Sequence, residues 1–492
     1  MPFLLNRHDL YNEHSRSRTN NNLILIHHQF IPITKLDLFL FSLGLILNCF
    51  SYYSLTPALM VIIFYFFGYF LLNIPFISGY PEKQLFTRVY IILFLVSGVA
   101  AIYANQFNDV NQTLKDAGNF FYFSTVDISS LSLPEIYLIT DGSLMVKIWG
   151  FIYNFFEYFG FSKEPYIGIL FNILLNCFSG VVGIKIIRLL FGFDLYRFKK
   201  FTLFYSCTGI IWLISSTHLR DSLSFFLCNI LLLSWVHCLT FFRFDFRLFF
   251  LLAVNLSALY LFPYIREEFL SVPLGFTFCA FASVLLSINS KSSDRSLRLI
   301  FLVFGLILSI VVFFVYFSSI IYTFNYVQGT YLGVALDSSS DNSLGMSLIV
   351  SQPLFIRIFL GSIYLILSPI PFWSGFQFEL IMPLFKSFNA LLFYFLLPLF
   401  FTSLLQIISS KSLRNSVLLF LVSTSICFTF AIAGTSLELR HLGNFILPIL
   451  LVCTVPDLRI RHIRTVYNRI LFVILSLILI IHLLWIVLKF IS

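Results

Sequence analysis

Residues 457–490 read DLRIRHIRTVYNRILFVILSLILIIHLLWIVLKF. Four arginines, Arg459, Arg461, Arg464 and Arg469, stand in front of an apolar run that carries no Asp, Glu, Lys or Arg before Lys489. A run of that length crosses ~30 Å of hydrocarbon as one helix. A basic block beside a span marks its cytoplasmic side. The rest of the chain repeats this arrangement, with apolar runs separated by short charged gaps. Candidate spans are 36–53, 55–77, 88–106, 166–190, 201–217, 222–242, 247–264, 269–288, 298–322, 387–409, 413–434, 441–456 and 469–490.

Composition points the same way. Of 492 residues, 59% are hydrophobic and 11% charged, with a mean hydropathy of +0.94. A soluble domain carries roughly 25% charged residues, so lipid is the expected solvent for most of this chain. The expected fold is all-α, a polytopic membrane bundle of about 13 transmembrane helices plus one re-entrant or interfacial segment. Residues 1–35 read as a polar cytoplasmic tail without the short apolar core and small-residue site of a cleaved signal. Residues 36–490 read as the bundle.

Charge sets the expected orientation. With the N-terminus in the cytoplasm, the inner segments and adjoining helix ends hold about 22 of the 31 Lys and Arg, but only about 8 of the 22 Asp and Glu. The same count decides the segment 350–385, which is broken by Pro353, Pro369, Pro371 and Pro383. A single crossing there would carry Lys411, Arg414 and the 459–469 block to the outside. The segment is therefore expected to cross twice or not at all, as a hairpin lining a cavity. Two outer loops follow, 107–165 and 323–385. The first contains WGFIYNFFEYFGF (149–161), which reads as an amphipathic surface helix. The second contains the polar stretch 327–343, which has the composition of a lid.

Several function classes are excluded. The net charge of +9 is accounted for by topogenic Lys and Arg, and there is no basic soluble domain to bind nucleic acid. Neither G-x-x-x-x-G-K-[ST] nor G-x-G-x-x-G occurs, so any activated donor must arrive without a nucleotide. All eight cysteines fall in apolar runs without a C-x-x-C, and no metal site or cofactor is expected.

The candidate chemistry lies on the outer side, in four clusters at or near span ends. These are Asp116 in KDAGNFFY, Arg220 and Asp221 with His218 nearby, Arg266 with Glu267 and Glu268, and Glu438 with Arg440 and His441. Arg357 is a further candidate. Each cluster alone can be an interfacial ion pair or cap. Together, ionisable groups at membrane depth mark functional sites. Guanidinium forks match phosphate oxygens, so Arg220, Arg266, Arg440 and Arg357 suit a diphosphate carried on a long lipid. A carboxylate or imidazole beside them can accept the proton of an incoming hydroxyl. Asp116 is the first candidate for that role, since Phe120, Phe121 and Tyr122 can stack on a sugar, and His441 is the second.

These stretches carry a resemblance. DAGNFF (116–121), HLRDS (218–222), PIPFW (369–373) and ELRHLGNFILP (438–448) resemble the pattern of bacterial O-antigen and capsular polysaccharide polymerases, and the layout is similar to that of the wider C-type, lipid-linked-sugar glycosyltransferases. The resemblance implies a multi-pass protein of the bacterial inner membrane. It would join undecaprenyl-pyrophosphate-linked oligosaccharide units at the outer face, in the company of a chain-length regulator. Two alternatives stay open, a transporter or flippase of lipid-linked oligosaccharide and an O-antigen ligase.

Overall fold

The structure is a computed structural model. It describes residues 34–73, 79–106, 115–126, 143–241, 246–266, 271–287, 349–376, 380–410 and 415–491, with isolated positions between them. All regular structure among the described residues is helical. Apart from isolated positions, the expected span 298–322, the tail 1–35 and the polar stretch 327–343 lie outside the described residues.

The helices are α1 (Lys35–Tyr52), α2 (Thr56–Leu72), α3 (Tyr80–Gln106), α4 (Lys115–Thr125), α5 (Ser143–Tyr158) and α6 (Pro165–Phe191). They continue with α7 (Leu195–Ser206), α8 (Gly209–Ser216), α9 (Asp221–Thr240), α10 (Phe246–Leu261) and α11 (Ser271–Leu286). The last six are α12 (Leu354–Leu367), α13 (Ile381–Ser409), α14 (Ser416–Thr435), α15 (Leu439–Gly443), α16 (Ile446–Thr454) and α17 (Arg461–Ile491). Seven of these, α1, α3, α6, α9, α13, α14 and α17, are long and apolar enough to cross a membrane, and α2, α10, α11 and α12 are shorter apolar helices.

Local chemistry sets the ends. Thr34 and Asp37 form a capping box that opens α1. Asp194 accepts the N–H groups of Tyr196 and Arg197 to open α7, and Asn415 accepts that of Leu418 to open α14. Pro165 starts α6, and Gly192 with φ of 68° follows its end. α6 is buried on nearly all sides and forms the axis of the bundle.

Two expected spans are not single helices. Residues 201–217 fall into α7 and α8, broken at Cys207–Thr208, and residues 441–456 into α15 and α16, broken at Asn444–Phe445. The first break is tertiary in origin. A Cβ on Gly209 would overlap the backbone carbonyl of Phe385, and the Asn389 side chain accepts the Ile210 N–H at 3.4 Å. In the other direction, α17 begins eight residues earlier than the apolar pattern suggests. Pro456 stands before it, whereas 461–469 holds no breaker and arginine is a good helix former.

The bundle has two chemically different ends. At one, Arg188 pairs with the fully buried Glu82 at 2.6 Å, Arg197 pairs with Asp194, and Lys200 donates to the Pro456 carbonyl. At the other lie the ends of α8, α10 and α14 and the starts of α6, α9 and α13. The segment 354–376 enters and leaves at this second end. Ile358 and Gly361 lie level with Ala433, Gly434 and Leu437 at the close of α14. Leu367 shares a cluster with Ala390 and Tyr394, the latter roughly 20 Å along α13. Phe372 then packs on Tyr394, and Gly375 comes back to Pro383 and Ser387. In the 107–165 stretch, α5 is amphipathic, with Trp149 and Tyr153 fully buried and Phe151, Phe155 and Tyr158 exposed.

Candidate functional site

The first part of the site is the turn between α8 and α9. Asn172 of α6 donates to the carbonyls of Thr217 (2.9 Å) and Leu219 (3.2 Å). One helical turn on, Asn176 donates to Ser222 Oγ at 2.9 Å, and that hydroxyl donates to the Ile214 carbonyl. Two amides on one face of α6 thus fix where α9 begins. Asp221 occupies the first position of α9, where the helix dipole favours a negative charge. The Arg220 guanidinium lies over the Phe120 ring of α4, 5.4 Å from its centre. His218, in the same turn, lies against Trp149 with ring centres 3.7 Å apart and planes tilted by 31°, and bonds Tyr153 Oη through Nε2 at 2.9 Å. Burial lowers His218 to about 3, against a smaller opposing contribution from its own backbone.

The second part comes from the end of α10. Pro263 closes that helix in a 3₁₀ turn, Phe262–Tyr264, and the Arg266 N–H bonds the Phe262 carbonyl at 2.8 Å. The Arg266 side chain turns into the bundle, and its Nη1 stands 3.6 Å from Asp221 Oδ1. The two side chains are 3% and 1% exposed, so this pair is withdrawn from bulk water.

The third part follows α14. Leu437 has φ of 52°, a left-handed conformation that a leucine adopts only when packing enforces it, and it is buried here. The turn presents Glu438, which takes a two-pronged contact from Arg440, Nε to Oε1 at 3.0 Å and Nη2 to Oε2 at 3.3 Å. His441 is held between Ser436 Oγ (2.8 Å from Nδ1) and Glu438 Oε2 (3.7 Å from Nε2). Asn444 ties this turn to α9 by accepting from Ser224 Oγ at 2.8 Å.

The three parts meet. Asp221 feels the charges of Arg266, Arg440, His441 and Arg220, and Glu438 feels those of Arg440, Lys386 and Arg266. Burial pushes the Glu438 carboxyl up, but the three cations outweigh it and hold the group below its ordinary range. Three guanidiniums, a lysine and an imidazole thus converge with two carboxylates. Among the described residues, three guanidiniums face two carboxylates.

Of the residues singled out from sequence, Arg220, Asp221, Arg266, Arg440 and His441 come together here. Arg357 is buried on α12, and no ion pair among the described residues links it to the group. Asp116 lies in the first turn of α4, four residues before Phe120, and its side chain is outside the described set. Glu267 and Glu268 also lie outside the described residues. Sequence reading missed Lys386, Ser224, Ser436 and Asn444. The one available signal was Lys386, a lone charge inside the apolar run that opens α13. Compared with protein-family models, with curated proteins and with solved structures, the chain finds no match.

Proposed function

We propose that the chain is a membrane glycosyltransferase, a polysaccharide polymerase that joins polyprenyl-pyrophosphate-linked oligosaccharide units. The observation that carries this reading is the convergence of Arg220, Arg266 and Arg440, from three separate helix ends, on Asp221, Glu438 and His441. In the reaction, an acceptor hydroxyl attacks the anomeric carbon of the donor sugar. A new glycosidic C–O bond forms, the C–O bond to the diphosphate breaks, and the lipid diphosphate leaves as an anion. The guanidiniums neutralise that anion, which is where charge grows in the transition state. The hydroxyl proton passes to a base, His441 or Asp116. The buried setting strengthens each of these interactions.

In this reading the cationic group faces the outer side of a bacterial inner membrane, the N-terminus is cytoplasmic, and about 13 helices cross. The charge asymmetry of the sequence supports the orientation. The position of the arginines at one end of the bundle, rather than midway, favours transfer over transport.

The test is complementation of a strain from which the gene has been deleted. Arg220→Ala, Arg266→Ala and Arg440→Ala should each leave single repeat units in place of a long-chain ladder, at normal membrane levels of the protein. Normal ladders from all three variants would overturn the proposal.

A further inference from the structure

Beside the cationic group is a cavity of about 270 Å³, walled by α3, α4, the start of α6 and the turn after α8. Small side chains, Ala104 and Gly118 among them, give it room, and Phe121 and Ile169 supply apolar faces. Three residues of its lining, Ser216, Thr217 and His218, are polar and deeply buried, and Thr217 Oγ1 donates to the Leu213 carbonyl. Ser216 is 2% exposed and His218 4%, and both Ser216 Oγ and His218 Nδ1 lack a hydrogen-bond partner among the described residues. Buried polar atoms in native proteins are nearly always satisfied, so such a pair beside a cavity marks where a ligand's own polar groups fit.

We infer that this cavity is a subsite for one sugar ring, the hydroxyl-bearing acceptor of the proposed transfer, held by Ser216 Oγ and His218 Nδ1. Naming that ring as acceptor rests on the glycosyltransferase reading. Size favours a single ring. The volume is about nine times a water's ~30 Å³ share of liquid and falls just below the ~300–1,000 Å³ of drug-sized pockets. Chemistry favours a sugar over a phosphate. The imidazole is uncharged at neutral pH, and the lining residues include none of the cluster's guanidiniums. A few polar groups on an otherwise apolar wall with an aromatic face suit a pyranose, which has hydroxyls at its rim and C–H groups on its faces. Position favours the acceptor. His218 is two residues before Arg220, and Phe121, whose ring meets the His218 ring edge-on at 5.7 Å, adjoins the Phe120 ring under the Arg220 guanidinium. A ring seated here has a diphosphate at Arg220 as its neighbour.

The experiment is saturation-transfer NMR on the full chain in lipid nanodiscs. The probes are the methyl glycosides of glucose, galactose, mannose, rhamnose and N-acetylglucosamine. At least one should give a transfer signal. Ser216→Ala should weaken it about tenfold, the loss of roughly one hydrogen bond. Ala104→Leu, which fills the cavity without touching either polar group, should abolish it. No signal from any glycoside, or a signal that survives Ala104→Leu, overturns the subsite. The two proposals separate cleanly. Glycoside binding that responds to these variants, together with normal ladders from the arginine variants, keeps the subsite and removes the polymerase. Lost ladders from the arginine variants, with a normal ladder and no bound glycoside in wild type and Ala104→Leu alike, do the reverse.

Discussion

Asn172 donates to the backbone on both sides of His218, at Thr217 and at Leu219, and so holds the turn that delivers Arg220 and Asp221. Both bonds use the one amide nitrogen. Asn172→Asp keeps the shape and removes both donors, leaving two buried carbonyls facing an acceptor. The expected cost is about 3 kcal/mol, read as a lower midpoint of thermal unfolding in detergent. The long-chain ladder should be lost with it.

Glu438 and Arg440 form a two-pronged pair inside the cationic group. Glu438→Gln and Arg440→Gln should each destabilise the protein, since each leaves a charge in a part-buried setting. The double variant should cost less than the sum, with a coupling of about 1–2 kcal/mol in a double-mutant cycle. A coupling near zero would mean that the pair is no more than a surface contact.

His218 gives the fold a defined acid sensitivity. Its folded value of about 3 lies below its ordinary 6.5. Between those values the unfolded chain binds a proton that the folded chain refuses. Stability from this group is therefore fully present above pH 6.5 and declines as pH falls toward about 3, by up to ~1.4 kcal/mol per pH unit. His218→Gln should flatten this slope when unfolding is measured across the same window. An unchanged slope would assign the acid loss to other groups.

Gly209 sits where the start of α8 touches the backbone of α13. The obstacle is a carbonyl rather than a movable side chain, so Gly209→Ala should cost about 3 kcal/mol. At Gly168, an added Cβ would lie 2.5 Å from His218 Nε2. Gly168→Ala should therefore displace the ring from Trp149 and change the tryptophan emission. Unchanged emission and stability in both variants would contradict the close approaches.

The class of fold was legible because composition leaves lipid as the only solvent, and helix is what lipid permits. Much of the cationic group was legible as well. Arg220, Arg266 and Arg440 each follow the end of an apolar run, and Pro263 marks one of those ends in the sequence. The breaks at Cys207–Thr208 and Asn444–Phe445 were not legible, because the lone glycine beside each, Gly209 and Gly443, is also tolerated inside apolar helices. At least the first depends on Gly209 and Asn389, which lie far apart in the chain. Lys386 was visible as a lone charge, but its place in the group was not, for a related reason. A lysine near the end of an apolar run reads as a side chain reaching for the interface, and only its proximity to Glu438 reveals its company.

The segment 354–376 packs beside the close of α14 and comes back to Pro383 and Ser387. On the proposed topology it adds an even number to the tally of passages. Shortening it would then leave Arg440 and Arg461 on the sides that topology assigns them, whereas removing a through-going helix such as α13 would exchange them.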